Sequence, residues 1–266
     1  MSIEALVFDV DGTLADTEEV HRRAFNLAFE ELGMGWRWER AEYRALLAVT
    51  GGKERLKAYI AGLPLGGSEK KRLQERVPEL HAAKTRHYTE IARQGGLALR
   101  PGVARLLDEA IGAGLRLGIA STTTAVNIDA LLLATLGPAG LSMFDVIACG
   151  DQVRAKKPAP DIYRLAIDTM GVPPERAIAV EDSANGLRSA LGAGLWTLVT
   201  PTYWSEGGDF SGAGLVLPSL GDRDQPLAGE PGERLQSQAW LSVDELTRRA
   251  TAVAPLNAVQ ALYREP

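Results

Sequence analysis

Asp9 and Asp11 stand one residue apart in "LVFDVDGTLADT", where an apolar run ends just before a glycine. Side chains alternate along an extended chain, so both carboxylates can face one pocket, and Gly12 lets the backbone turn sharply beyond them. Three other apolar runs also finish in polar residues. Ser121 and Thr122 follow "LRLGIA", Lys157 lies in "AKKPAPD" soon after "FDVIACGD", and Glu181 with Asp182 follows "AIAV". Together they supply what removal of a phosphate from a carbon oxygen demands. One aspartate can attack phosphorus, while the other gives a proton to the leaving oxygen and later takes one from water. Lys157 offers a point charge for the phosphate, and Ser121 and Thr122 offer hydroxyls where the next helix begins with free N–H groups. Two carboxylates beside a phosphate repel it unless a cation intervenes. Oxygen ligands of this kind suit Mg²⁺, and Asp182 brings a third carboxylate.

These residues need a scaffold that brings strand ends together. The runs 5–11, 115–123, 144–151 and 177–183 read as buried strands, and "LWTLVT" as a further one. Helical patterns alternate with the later ones: "GVARLLDEAIGAG", "AVNIDALLLATLG", "PDIYRLAIDTMGV" and "SANGLRSALGAG". Such alternation predicts an α/β fold with a Rossmann-like, doubly wound parallel sheet, whose ligands gather at the carboxyl ends of the strands. The rhythm breaks once, where charge-rich amphipathic helices such as "EVHRRAFNLAFEEL" and "RAEYRALLAV" follow one another with no strand between. Residues 1–16 and 95–220 are therefore expected to form the core and 17–94 an inserted α-helical cap. Residues 221–266 are expected as a tail, with a Gly/Pro-rich linker, "GDRDQPLAGEPGERLQ", and then one helix, "SVDELTRRATAV".

The 266 residues are 45% hydrophobic and 24% charged, with a formal net charge of −5. That balance gives no global basic field, so neither nucleic acid nor an anionic membrane is an expected partner. One cysteine, Cys149, allows no intramolecular disulfide, and the start "MSIEALVFDVDG" lacks the pattern of a secretory signal. A cytoplasmic monomer is expected.

The four motifs, in order, resemble those of the haloacid dehalogenase-like hydrolases: "DVDGTLADT", "IASTT", "KKPAPDIY" and "VEDSANGL". The resemblance implies Asp9 as nucleophile through an aspartyl-phosphate and Asp11 as general acid and base. It also implies Mg²⁺ held by Asp9, the Asp11 main-chain carbonyl and Asp182, with Glu181 acting through a water. "ADTEEVHRRAFNLAF", "EYRALL", "TGGKERL" and "GDQVRAKKPAPDIYRLAI" are similar to the CbbY subgroup, which removes a phosphate from xylulose 1,5-bisphosphate, an inhibitor of Rubisco. By that resemblance the substrate is a small sugar bisphosphate and the function is linked to Rubisco. Its second phosphate needs cations, which Arg22, Lys53 and Arg55 offer, with the Gly51 and Gly52 amides able to approach closely. Glu18, His21 and Tyr43 are candidates for the sugar hydroxyls.

Plainer readings apply to several residues. His81 and His87 read as helix surface, Lys156 as a surface charge, Trp36 and Trp38 as packing, and Cys149 as a buried thiol. Two other functions share the motifs in whole or part: a β-phosphoglucomutase-like phosphomutase, and a non-catalytic phosphosugar-binding regulator. The intact Asp9, Asp11, Lys157 and Asp182 argue against the second.

Overall fold

The structure, a computed structural model, describes residues 2–237 and 239–262. The chain begins with β1 (Ala5–Phe8) and then forms helices α1 (Glu18–Glu31), α2 (Arg40–Leu46), α3 (Gly52–Gly62), α4 (Gly67–Glu75) and α5 (Val77–Arg93). Next come α6 (Val103–Gly112), β2 (Arg116–Ser121), α7 (Ala125–Leu136), β3 (Val146–Cys149), α8 (Asp161–Met170), β4 (Ala177–Glu181), α9 (Ala184–Gly192) and β5 (Trp196–Val199). A two-residue strand β6 (Leu215–Val216), a short helix α10 (Glu230–Glu233) and α11 (Val243–Leu262) follow.

All strands pair in parallel, in the order β3-β2-β1-β4-β5-β6. The strand alternation assigns each side chain to a face. Leu6, Phe8, Leu117, Ile119, Ile178 and Val180 pack against Leu106 and Leu107 of α6 and Ile128 and Leu131 of α7. Ala5, Val7, Ala120, Ala148, Ala177 and Ala179 point the other way, against Ile162, Tyr163 and Ile167 of α8 and Ala190 of α9. Small residues on that second face let the bulky α8 side chains lie close to the sheet. The α/β, doubly wound reading is borne out. From β1 the chain winds outward to β2 and β3, then returns to place β4 on the other side of β1. That reversal opens a crevice at the carboxyl end of β1.

Helices α1 to α5 build a separate apolar cluster. Trp38 is fully buried there, with ring centroids 4.8 Å from Phe25, 4.9 Å from Phe29 and 5.2 Å from Tyr59. Trp204, from the loop after β5, joins the cluster edge-on to Tyr43 at 5.7 Å, so the helical insertion has an apolar foothold on the sheet side. Polar contacts add to it: Lys53 Nζ lies 2.5 Å from Asp151, and Asn185 donates to Thr50 Oγ1 at 3.0 Å.

The segment after residue 220 differs from a free linker. Leu227, Leu235, Leu241, Val243, Leu246 and Ala250 are all buried in the larger sheet cluster. The apolar residues hidden among the glycines and prolines dock it there, and Glu109 of α6 accepts the Val243 N–H at 2.9 Å.

Candidate active site

Asp9 follows β1 directly, Ser121 and Glu181 end the neighbouring β2 and β4, and the loops beyond them line one cavity of about 360 Å³. Its walls include Asp9, Asp11, Ser121, Thr122, Lys157 and Asp182 from the sheet side, and Glu18, His21, Gly51, Gly52 and Arg55 from the helical insertion. The β1 ladder continues one step past the strand through Asp9 N–H to Val180 O at 3.0 Å, which fixes the Asp9 side chain over the crevice. Beyond it Gly12 has φ +85°, and a Cβ there would meet Asp182 Oδ2 at 2.4 Å. Glycine is thus what lets the first loop and the β4 loop touch.

Lys157 Nζ donates to Asp9 Oδ1 at 2.7 Å and to Glu181 Oε1 at 2.6 Å, all three side chains being buried. Burial by itself would lower the Lys157 pKa, but the charges and hydrogen bonds of Asp9 and Glu181 outweigh it and raise it. Asp9 is pushed up to about 7, mainly by burial, with Lys157 pulling it down and Glu181 and Asp11 pushing it further up. Asp182 rises well above the carboxylate range through burial and the charges of Glu181 and Asp9. One oxygen from each of Asp9, Glu181 and Asp182 falls within 4.8 Å of the others. Three carboxyls share a single ammonium, so the cluster carries surplus negative charge that proton uptake would otherwise relieve. An oxygen-lined site with that imbalance fits a hard divalent cation.

Glu181 is also tied into the protein's own hydrogen bonds. It is fully buried, with Oε1 accepting from Lys157 and from Tyr163 Oη at 2.8 Å, and Oε2 accepting the Asp182 N–H at 3.1 Å. It lies so close under α9 that a Cβ on Gly186 would fall 1.9 Å from Oε2. Its carboxylate therefore orients Lys157 and the Asp182 loop.

Asp11 has separate partners. Its Oδ1 accepts from Thr17 Oγ1 at 2.5 Å and lies 2.9 Å from His21 Nε2, while His21 Nδ1 lies 2.7 Å from Lys84 Nζ. Tyr88 stacks on the His21 ring at 4.4 Å. Burial would raise the Asp11 pKa. The charge and hydrogen bond of His21, the Thr17 hydroxyl and the charge of Lys84 prevail and hold it well below the usual range. Lys84 itself is lowered to about 8 by burial, against the attraction of Asp11 and Glu18. Two aspartates two residues apart thus sit in opposite electrostatic settings, one favouring the neutral acid and the other the anion.

Some sequence expectations are corrected. Arg22 does not line the cavity: its guanidinium grips Glu19 at 2.7 Å and the Trp38 carbonyl at 2.8 Å, whereas the neighbouring His21 faces inward. Tyr43 is buried behind the wall, where its hydroxyl donates to Glu18 at 2.7 Å and accepts from Arg55 at 3.1 Å, so it positions these two. Lys53 pairs with Asp151 and lies outside the lining. His81, read from the sequence as helix surface, is 9% exposed and lines the cavity with Lys84 and Asn127, two residues the sequence reading had not singled out. One signal was available on α5: residues 77, 81, 84, 88 and 92 recur at helical spacing on one buried stripe, so polar residues in it point inward.

The chain belongs to the haloacid dehalogenase-like hydrolases, a family that matches residues 3–194. It is an enzyme, and its relatives support a sugar phosphatase. Protein CbbY of Cereibacter sphaeroides is 48% identical over 227 residues, spanning 83% of this chain and 94% of that one. A solved CbbY variant from Rhodobacter sphaeroides, in complex with xylulose 1,5-bisphosphate, matches with a TM-score of 0.76 and 49% identity, over 82% of this chain and 94% of that one. A β-phosphoglucomutase from Clostridium difficile shares the fold with a TM-score of 0.68 at 20% identity, covering 95% of this chain and 99% of that one. The likeness to the CbbY subgroup read from the motifs is borne out.

Proposed function

We propose that the protein is a Mg²⁺-dependent sugar bisphosphate phosphatase that converts xylulose 1,5-bisphosphate to xylulose 5-phosphate and phosphate, and so relieves inhibition of Rubisco. One observation carries the reaction class: Asp9, Lys157 and Asp182 meet at the strand ends while Asp11, on the same loop, is held by a different set of partners. The choice of substrate is supported by the bisphosphate bound to the related CbbY and by cationic side chains, Arg55 and Lys84, on the helical wall of the same cavity.

In this reading Asp9 Oδ attacks phosphorus, the P–O bond to the sugar breaks, and Asp11 delivers a proton to the departing oxygen. Asp11 must take up that proton as the phosphate dianion arrives, since the negative charge of the substrate offsets the pull of His21 and Lys84. In the second half Asp11, again anionic, removes a proton from the water that attacks the aspartyl-phosphate. Lys157 and the Ser121 hydroxyl hold the phosphoryl oxygens. Mg²⁺, resting on Asp9, Asp182 and the Asp11 carbonyl, would supply the positive charge that lets anion attack anion. Helices α1 to α5 act as a cap over the cavity, and the protein works as a cytoplasmic monomer.

Asp9→Asn tests the mechanism, because an amide is a poor nucleophile of nearly the same shape. Phosphate release is expected to fall by roughly 1000-fold or more with substrate binding retained. Release at the wild-type rate would remove Asp9 from the chemistry.

A further inference from the structure

Arg100 stands where the chain re-enters the sheet part after the helical insertion, and it does not line the cavity. Pro101 disfavours helix at the residue before it, so Arg100 stays outside α6, which starts at Val103. The two crossings between insertion and sheet meet here: Ala15 and Leu99 form a β-bridge, and the Arg100 N–H donates to Leu14 O at 2.9 Å. The guanidinium then joins three segments that are far apart in sequence. Nη1 donates to Gly12 O, to Thr200 O at 2.6 Å and to Thr200 Oγ1 at 2.9 Å, while Nη2 donates to Pro201 O and to Pro218 O, each at 3.1 Å. Every one of these acceptors is a main-chain carbonyl or a hydroxyl, so the group links loops rather than closing an ion pair. Burial works against its charge, and Asp182 and Asp16 support it. A lysine ammonium in its place has three donors and no planar fork, too few to hold all these acceptors.

Two of the joined segments lead to the reacting groups. Gly12 directly follows Asp11 and packs so closely on the β4 loop that a Cβ there would meet Asp182 Oδ2 at 2.4 Å. The Thr200 N–H donates to Glu181 O at 2.7 Å, one residue before Asp182. The same loop continues to Trp204 and Ser205, which line the cavity. Burial raises the Asp182 pKa most, and the Ser205 hydroxyl opposes that rise. Transfer between positioned groups is sensitive to such placement, and a displacement of about 1 Å costs on the order of 100-fold in rate.

We propose that Arg100 is a positioning residue for the reaction: its guanidinium fastens the loop that carries Asp9 and Asp11 to the loop after β5, and so fixes where Asp11 stands relative to Asp182. The assignment rests on the aspartyl-phosphate reading and is independent of which sugar is the substrate.

The test measures kcat and KM of the full chain with Mg²⁺ on xylulose 1,5-bisphosphate and on p-nitrophenyl phosphate, with circular dichroism and a thermal melt on each preparation. Arg100→Lys and Arg100→Gln are expected to lower kcat by roughly 10- to 100-fold on both substrates, with KM within about 3-fold of wild type. Arg105→Lys is the comparator. Arg105 also donates to main-chain carbonyls, Gly221 O at 2.8 Å and Leu220 O at 3.4 Å, but it lies outside the cavity lining and touches none of the loops that carry Asp9, Asp11 or Asp182. It is expected to lower the melting temperature and leave kcat unchanged. Wild-type kcat in the folded Arg100 variants, a loss confined to KM, or an equal fall of kcat in Arg105→Lys would overturn the assignment. Thr200→Val removes one acceptor at nearly constant shape and is expected to lower kcat several-fold; if neither Arg100 variant folds, wild-type kcat in Thr200→Val overturns the assignment instead. An Asp9→Asn protein that releases phosphate at the wild-type rate would overturn the aspartyl-phosphate reading, and the assignment with it. An inactive Asp9→Asn beside unaffected Arg100 variants would overturn the assignment alone.

Discussion

Asp11 shares its loop with Asp9, yet its carboxylate is paired with Thr17 and His21, and His21 with Lys84. The charge of Lys84 thus reaches Asp11 through His21. Because Lys84 is lowered to about 8, it loses its proton on the alkaline side of neutrality, and the cavity wall loses a positive charge that would attract an anionic substrate. The kcat/KM profile is expected to decline above about pH 8, and Lys84→Arg, which keeps its charge, is expected to move that decline upward. The stability effect has the opposite sign. A base whose folded pKa is depressed binds fewer protons in the folded chain, so this group contributes rising stability as pH climbs from about 8 towards its ordinary 10.5. A profile whose alkaline limb stays in place in Lys84→Arg would show that another group governs it.

At the scale of elements, the site depends on loops that can touch only where side chains are missing. Gly12 combines a left-handed φ of +85° with the approach of Asp182. Gly12→Ala is expected to cost about 1–2 kcal/mol from the backbone alone, with a further loss of activity as Asp182 is displaced. Thermal melts and phosphate release on one preparation check both. The same element geometry explains what could be read in advance. Asp9, Ser121 and Asp182 were legible because each lies within a residue or so of a strand end, and the fold class fixes where strand ends go. The helical residues were harder. His21 and Arg22 are adjacent in sequence but about 100° apart around α1, and only the packing of α1 on α5 decides which faces the cavity. His81 read as helix surface and Lys84 drew no notice, although both fall on the buried stripe of α5. No local pattern placed Lys53 against Asp151, 98 positions away.

For the whole molecule, the helical insertion has an apolar cluster of its own, while Val20, Ala24, Tyr88 and Ala92 of α1 and α5 pack into the sheet's cluster, and the cavity is lined by both parts. Residues 221–252 belong energetically to the sheet part, since Leu227, Leu241 and Leu246 are buried in it. Leu246→Ala is expected to destabilise the protein by about 2–5 kcal/mol, as for a core leucine elsewhere. A change below about 0.5 kcal/mol, the usual size for a surface substitution, would make the tail an accessory. In the proposed function the strand-end residues carry the reaction and the helical wall the choice of sugar, so selectivity tests the assembled cavity. The most direct measurement is kcat/KM of the full chain with Mg²⁺ for xylulose 1,5-bisphosphate, ribulose 1,5-bisphosphate, fructose 1,6-bisphosphate and glucose 1-phosphate. A preference for the first of about 100-fold is expected. Slow and equal hydrolysis of all four would contradict the assignment to xylulose 1,5-bisphosphate.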